Sequence, residues 1–263
     1  MSIPVTLPSN FAQVLRKSDQ PLVGAWVCSG SETAAEILAS AGFNWLLIDS
    51  EHSPYGLETV LSLLRATDAY GLSRVVRVPG NDTVLIKQYL DLGAQNLMVP
   101  MIDTQEDAEK AVAAMHYPPR GVRGVGSALA RSSRWNGVQN YLANASASIS
   151  LTVQIESETA VESVKDIVTV DGVDQVFVGP SDLAASMGLI GQQMHPEVTA
   201  AVEHVFHACQ GAGKMVGVNA FDHDQAQRYL AAGASFVVVG ADVQLLASSA
   251  RGLAKKFSNQ QNF

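Results

Sequence analysis

Four short stretches of this sequence gather side chains able to move protons or hold ions. The stretch DSEHSP carries Asp49, Glu51 and His52 together. A histidine beside acids can act as a general acid or base near neutral pH. The same neighbours could instead hold it as a plain ion-pair partner of Asp49 or Glu51. In RVVRVPG, Arg77 sits inside an apolar run. A guanidinium there is costly unless it meets an anion. That anion could be a carboxylate, a developing enolate or an internal partner such as Asp49. VQIES supplies Gln154 and Glu156, GPSD supplies Asp182, and Trp26 stands near the end of an apolar run of its own.

These residues matter only if the fold collects them. Eight short apolar runs alternate with helical stretches: 22–27, 45–49, 74–78, 96–100, 151–156, 175–179, 215–219 and 236–240. Near-continuous apolar runs suit strands buried on both faces of a parallel sheet. A hidden repeat supports this. Glycines 42, 71, 93, 172, 213 and 233 each close a helix, and a strand finishes seven residues later. Glycine readily takes the left-handed conformation that ends a helix. Thr33 with Glu36, and Asp103 with Glu106, fit capping boxes; Asn81 and Asp222 fit simple caps. Eight such units predict one closed (β/α)8 barrel spanning residues 1–263 as a single domain. An open doubly wound sheet would show a glycine-rich first turn, and no G-x-G-x-x-G or G-x-x-x-x-G-K-[ST] occurs. Residues 101–150 depart from the repeat, with a helix expected over 104–115 and then a long arginine-rich loop that reads as functional.

In barrel enzymes the chemistry lies at the C-terminal ends of the strands. Trp26, Asp49, Glu51, His52, Arg77, Gln154, Glu156 and Asp182 all fall there. Glu156 and Asp182 follow neighbouring strands about 4.8 Å apart. Two carboxylates so close repel unless a proton or cation lies between them. Oxygen donors without Cys or His suit a hard divalent ion such as Mg²⁺ or Mn²⁺. Each could alternatively cap the helix after it. Arg120, Arg123, Arg131 and Arg134 could bind a substrate carboxylate, but for most of them a surface or subunit contact is the expectation. His116, His195, His204, His207 and His223 lie at helix starts, in loops or on an outer helix. A Schiff-base aldolase needs a lysine at the rim. Lys17, Lys87, Lys110, Lys165, Lys214, Lys255 and Lys256 are all elsewhere. No G-x-S-x-G nucleophile elbow occurs.

Over nearly its whole length the sequence resembles the metal-dependent pyruvate aldolases of the HpcH/HpaI family. The resemblance rests on LLIDSEHSPY (46–55), VVRVPGND (75–82), IKQYLDLGAQNLMVPM (86–101), YPPRGVRGVGSALARSSRW (117–135), VQIES (153–157) and VFVGPSDLAASMG (176–188). It implies a (β/α)8 barrel, a divalent metal (Mg²⁺, Mn²⁺ or Co²⁺), no organic cofactor, and a homohexamer that exchanges its C-terminal helix between subunits. It assigns Glu156 and Asp182 to the metal, His52 to acid/base work with Asp91 orienting it, and Arg77 to the enolate oxygen. Asp49 and Glu51 stand behind these. Trp26, Gln154, Gly179, Pro180, Ser181 and Val218 line the substrate site, with Ser181 at the pyruvate carboxylate. Asp91 ends the helix before the fourth strand, nominally at the other rim, so it would have to act across a subunit boundary.

The expected reaction is reversible retro-aldol cleavage of a 4-hydroxy-2-oxo acid to pyruvate and an aldehyde. The rivals are a CoA-thioester lyase on the same rim and a non-catalytic barrel that binds oxo acids. Composition narrows the field further. With 17 Lys+Arg against 25 Asp+Glu, the net charge of −8 argues against nucleic acid and anionic membranes. The two cysteines, Cys28 and Cys209, are far apart and fit a reducing compartment. No signal peptide or membrane span is legible, so a cytoplasmic location is expected.

Overall fold

The computed structural model describes residues 5–258. Its strands are β1 (Leu22–Val27), β2 (Trp45–Asp49), β3 (Ser73–Arg77), β4 (Asn96–Val99), β5 (Ser150–Ile155), β6 (Gln175–Val178), β7 (Met215–Asn219) and β8 (Phe236–Ala241). Each pairs in parallel with the next, and β8 pairs with β1, closing the barrel. Every predicted strand is present within a residue of its expected bounds. The runs are apolar on both faces because both are covered. One set of side chains, among them Val76, Val153, Val178 and Val218, packs outward under the helices. The alternate set, among them Trp45, Leu47, Val75, Met98, Phe177 and Phe236, fills the barrel's interior.

The lower end of that interior is plugged from the N-terminal side. Helix Phe11–Lys17, which the sequence reading left out, sends Phe11 to within 5.0 Å of the Trp45 ring and 5.2 Å of Phe236. Asn96 Oδ1 fixes its start by accepting from the Phe11 N–H at 2.6 Å. Gly24 and Gly217 make room for the large rings: a Cβ on Gly217 would fall 2.3 Å from Phe236, and one on Gly24 2.5 Å from Trp45.

Of the repeat glycines, 42, 93, 172, 213 and 233 have positive φ, and Gly71 does not. The caps shift from their expected places. Ser31, not Thr33, caps helix Glu32–Ser40; Asp82, not Asn81, caps Thr83–Asp91; and Thr104 with Asp107 forms the box that Asp103 and Glu106 suggested. Two displaced residues work across the fold instead. The Asn81 amide donates to Asp107 O at 2.9 Å, and Asp103 Oδ1 accepts from Ser157 Oγ at 2.5 Å. Asp222 does cap its helix, accepting from Gln225 N.

The long segment after β4 holds helix Gln105–Met115, two 3-10 turns and a helix over Tyr141–Ser148 that was not foreseen. Its arginines correct the surface expectation. Arg123 is buried, with Nη2 2.9 Å from Asp91 Oδ1 and its guanidinium over the Tyr117 ring. Arg131 is buried against Asp68, which Arg74 also meets, and Arg134 lies 3.8 Å from it. Only Arg120 makes an open surface pair, with Asp171. Among the described residues no helix is long and apolar enough to cross a membrane.

The interior glycines give the first prediction. Gly217→Ala forces Phe236 off its position, so chemical denaturation should show a loss of about 1–3 kcal/mol, as for an overpacked core.

Candidate active site

The C-terminal rim gathers its polar groups through strand alternation. Asp49 ends β2, Arg77 ends β3, and the two are register partners. Arg77 is only 6% exposed. Its Nε donates to Asp49 Oδ1 at 3.0 Å, and its Nη1 lies 2.9 Å from Glu51 Oε2. The Trp26 ring covers its guanidinium carbon at 4.4 Å. Trp26 is itself tethered, donating Nε1–H to Asn219 Oδ1 at 2.8 Å. Asp49 Oδ1 also accepts from the backbone N–H of Glu51 and, at 3.4 Å, of His52. The internal pair considered for Arg77 therefore exists, and Nη2 is left without a hydrogen bond among the described residues. His52 points into the open, its side chain 66% exposed and Nε2 3.8 Å from Glu51 Oε2.

Across the rim, Glu156 follows β5 and is buried. Its Oε1 accepts from Met101 N at 2.8 Å, and its Oε2 takes a short contact from the Gln154 amide. Met101 offers that N–H from a left-handed backbone, φ 53°. Gly179 is required beside them, because a Cβ there would fall 2.9 Å from both Gln154 Nε2 and Glu156 Oε2. Asp182 lies in the first turn of helix Pro180–Ser186, which begins without a side-chain cap. Glu156 is not a helix cap either. Both cap alternatives therefore fall away.

Charge at the rim is unbalanced. Four carboxylates, Asp49, Glu51, Glu156 and Asp182, face one fixed cation. Burial raises the Glu156 pKa from 4.5 to about 7, and the charges of Glu51 and Asp182 push the same way against Met101 N–H and Arg77. Burial also raises Glu51, with Arg77 opposing. Gln154 Oε1 is buried with no partner. An orphaned amide oxygen beside repelling carboxylates is a donor set suited to a hard cation. Among the described residues no three His, Cys, Asp or Glu side chains converge on one point. Glu156 and Asp182, the pair expected from the sequence to hold a metal, both lie at this rim.

Two sequence-predicted residues are not brought to this rim. Asp91 ends its helix before β4 begins, at the strands' N-terminal side, where Arg123 holds it. One chain does not bring it to His52. Val218 is fully buried under the helices, because alternation turns it away from the interior. Its neighbour Asn219 takes the rim position instead. The signal was available: a polar residue closing an otherwise apolar strand, in step with the inward-facing Gly217. Pro180 and Ser181 open the helix beside Asp182. The seven lysines lie on helices or, for Lys214, before β7 with Nζ on Val173 O.

A closed (β/α)8 barrel with a carboxylate-rich rim at the strands' C-terminal ends is the architecture of a barrel enzyme. Residues 22–249 match the HpcH/HpaI aldolase/citrate lyase family, and the chain belongs to it. It is 48% identical over 246 residues to a 4-hydroxy-2-oxo-heptane-1,7-dioate aldolase of Salmonella dublin, covering 94% of each chain. It is 51% identical over 241 residues to a hydroxypyruvate/pyruvate aldolase of Deinococcus radiodurans, covering 92% of this chain and 87% of that one. A crystal structure of a family member from Burkholderia cenocepacia superposes with a TM-score of 0.89 at 42% identity, covering 94% and 98% of the two chains.

The Glu156 shift has a measurable consequence. A carboxyl whose folded pKa is raised stabilises the fold fully below its unfolded value, near 4.5, and that contribution is lost as pH rises through about 7. Metal-free protein should lose up to about 3 kcal/mol across this window in pH-dependent denaturation. Glu156→Gln should flatten that slope.

Proposed function

We propose that the rim catalyses reversible retro-aldol cleavage of a 4-hydroxy-2-oxo acid to pyruvate, or a related 2-oxo acid, and an aldehyde. The enzyme is a carbon–carbon lyase, as its aldolase-named relatives indicate. The observation that carries the reading is the buried guanidinium of Arg77 at the rim, held between Asp49 and Glu51 where the described residues offer no lysine. Such a centre can stabilise an oxyanion but cannot form a Schiff base.

In this reading Glu156 and Asp182 hold a divalent ion, which when bound supplies Lewis-acid stabilisation of negative charge on the oxo acid's oxygens. Ser181, Pro180 and Gly179 pass close to the substrate's carboxylate, and Gln154 lies beside its oxo group. His52, exposed at the mouth, takes the proton from the 4-hydroxyl, directly or through water. The bond between C3 and C4 then breaks. Its electron pair passes into the pyruvate enolate, and the aldehyde leaves. Arg77 Nη2 donates to the enolate oxygen, a group whose charge develops only in the reaction. Asp49 and Glu51 keep the guanidinium in place. C3 of the enolate finally takes a proton to give pyruvate.

Asp91 serves His52 in this reading only across a subunit boundary. A further feature supports self-association. The last helix, Asp242–Ser258, is anchored at its start, where Asp242 accepts from Cys28 N at 2.9 Å and Ser29 N at 3.0 Å. Beyond that anchor Leu246, Leu253 and Phe257 stand exposed, in keeping with a helix exchanged within a homohexamer.

Two measurements test the proposal. A chelator should abolish cleavage, Mg²⁺, Mn²⁺ or Co²⁺ should restore it, and borohydride with pyruvate should leave no covalent adduct. Full activity in chelator, or a trapped adduct, refutes it. Arg77→Ala should lower both cleavage and pyruvate methyl-proton exchange in D₂O by about two to three decades, because both pass through one enolate.

A further inference from the structure

Beside the rim lies a hollow of about 160 Å³. Its walls are Pro180 and Ser181 from the start of the helix after β6, Gln193 and Met194 from the following loop, and Asn219 to Asp222 after β7. Its floor is made by Gln225 and Tyr229, four residues apart and so on one face of helix His223–Ala231. It opens next to Asn219, whose Oδ1 is taken by Trp26 and whose amide NH₂ has no partner among the described residues.

The floor has an unusual polarity. Gln225 is 9% exposed and Tyr229 1%, yet neither Gln225 Nε2 nor the Tyr229 hydroxyl has a hydrogen bond. Buried polar groups are normally satisfied, and each one left over costs stability. The Tyr229 hydroxyl lies close enough to the Gln225 and Thr199 side chains for both to counter the burial that raises its pKa. Both act on the Tyr229 oxygen as donors, so the Gln225 amide turns its NH₂ side to Tyr229 and its Oε1 has no partner among the described residues. The hollow is then lined by an acceptor, Gln225 Oε1, and by two donors, the Asn219 amide NH₂ and the Ser181 hydroxyl. No lysine or arginine lines it, and Asp222 is its one charged residue. A carboxylate entering would find no counter-ion. A hydroxyl would find an acceptor in Gln225 and donors in Asn219 and Ser181.

We infer that this hollow is the subsite for the distal end of the aldehyde, built for a short hydroxylated tail rather than an apolar or carboxylated one. Gln225 and Tyr229 are then specificity-determining residues. The inference rests on the aldolase reading above and sharpens its substrate class.

The test measures kcat/KM in the aldol direction, with pyruvate and Mg²⁺, for glyceraldehyde, propanal and succinic semialdehyde. The parent enzyme should prefer glyceraldehyde to each of the others by about tenfold or more, the scale set by leaving a buried polar group unpaired. Gln225→Met and Tyr229→Phe should each bring the glyceraldehyde-to-propanal ratio to near one. A ratio is insensitive to the fraction of each variant that folds. A parent without the preference, or variants that keep it, overturns the subsite and leaves the aldolase reading standing. Absence of pyruvate proton exchange in the parent overturns both.

Discussion

The site depends on how one cation is held. Arg77 is buried at the end of a strand, which it could not be alone. Asp49 and Glu51 meet it at 3.0 and 2.9 Å, and Trp26 covers its face. Removing one partner of such a pair typically costs about 3–5 kcal/mol, because the survivor stays buried and uncompensated. This places strong demands on neighbouring elements. β2 and β3 must stay in register, the turn after β2 must return Glu51 to the rim, and β1 must deliver Trp26. Asn219 ties that tryptophan to β7, so the arginine's surroundings reach around half the barrel.

The same rim is deliberately unfinished on its other side. Glu156 has two hydrogen-bonding neighbours and still has its pKa raised to about 7. A site meant only to be stable would have neutralised this group or replaced it with an apolar one. Here the buried carboxylate, the nearby Asp182 and the unpartnered Gln154 oxygen are left short of positive charge. Gly179 is part of the arrangement, since any side chain there would collide with Gln154 and Glu156. The left-handed Met101, which gives Glu156 its backbone donor, is a local strain of the kind that clusters at functional sites. The rim thus sets a cation with Nη2 left free opposite under-compensated anions, an arrangement suited to receiving a cation and an oxyanion together.

The barrel supports this by separating packing from chemistry. Large rings from β2, β6 and β8 fill the interior, and Phe11 seals it from below. Polar side chains lower in the barrel, Asn96, Ser150, Thr152 and Gln175, bond to one another, and the rim positions carry the charged groups. Polar groups at the opposite end, Arg123 with Asp91 and the arginines around Asp68, pair within the chain and hold the long segment after β4, although Arg123 Nε and Nη1 are left without a partner among the described residues.

Much of this was written in the sequence by itself. The eight strands were legible because a strand covered on both faces must be a short, nearly unbroken apolar run. Their parallel order was legible because glycine-closed helices separate them. Once eight units are granted, Asp49, Arg77, Gln154, Glu156 and Asp182 fall at one rim by position along the chain alone. What the tertiary structure decided were matters of facing and of distance. A shift of one residue turns a side chain from the helix layer to the interior, and that shift separates Val218 from Asn219. It also moved the caps, because which oxygen reaches a helix's first N–H groups depends on backbone angles that neighbouring residue types share. The pairing of Arg123 with Asp91 and the hollow over Gln225 and Tyr229 join segments distant along the chain. No periodicity encodes such meetings; closure of the barrel brings them about.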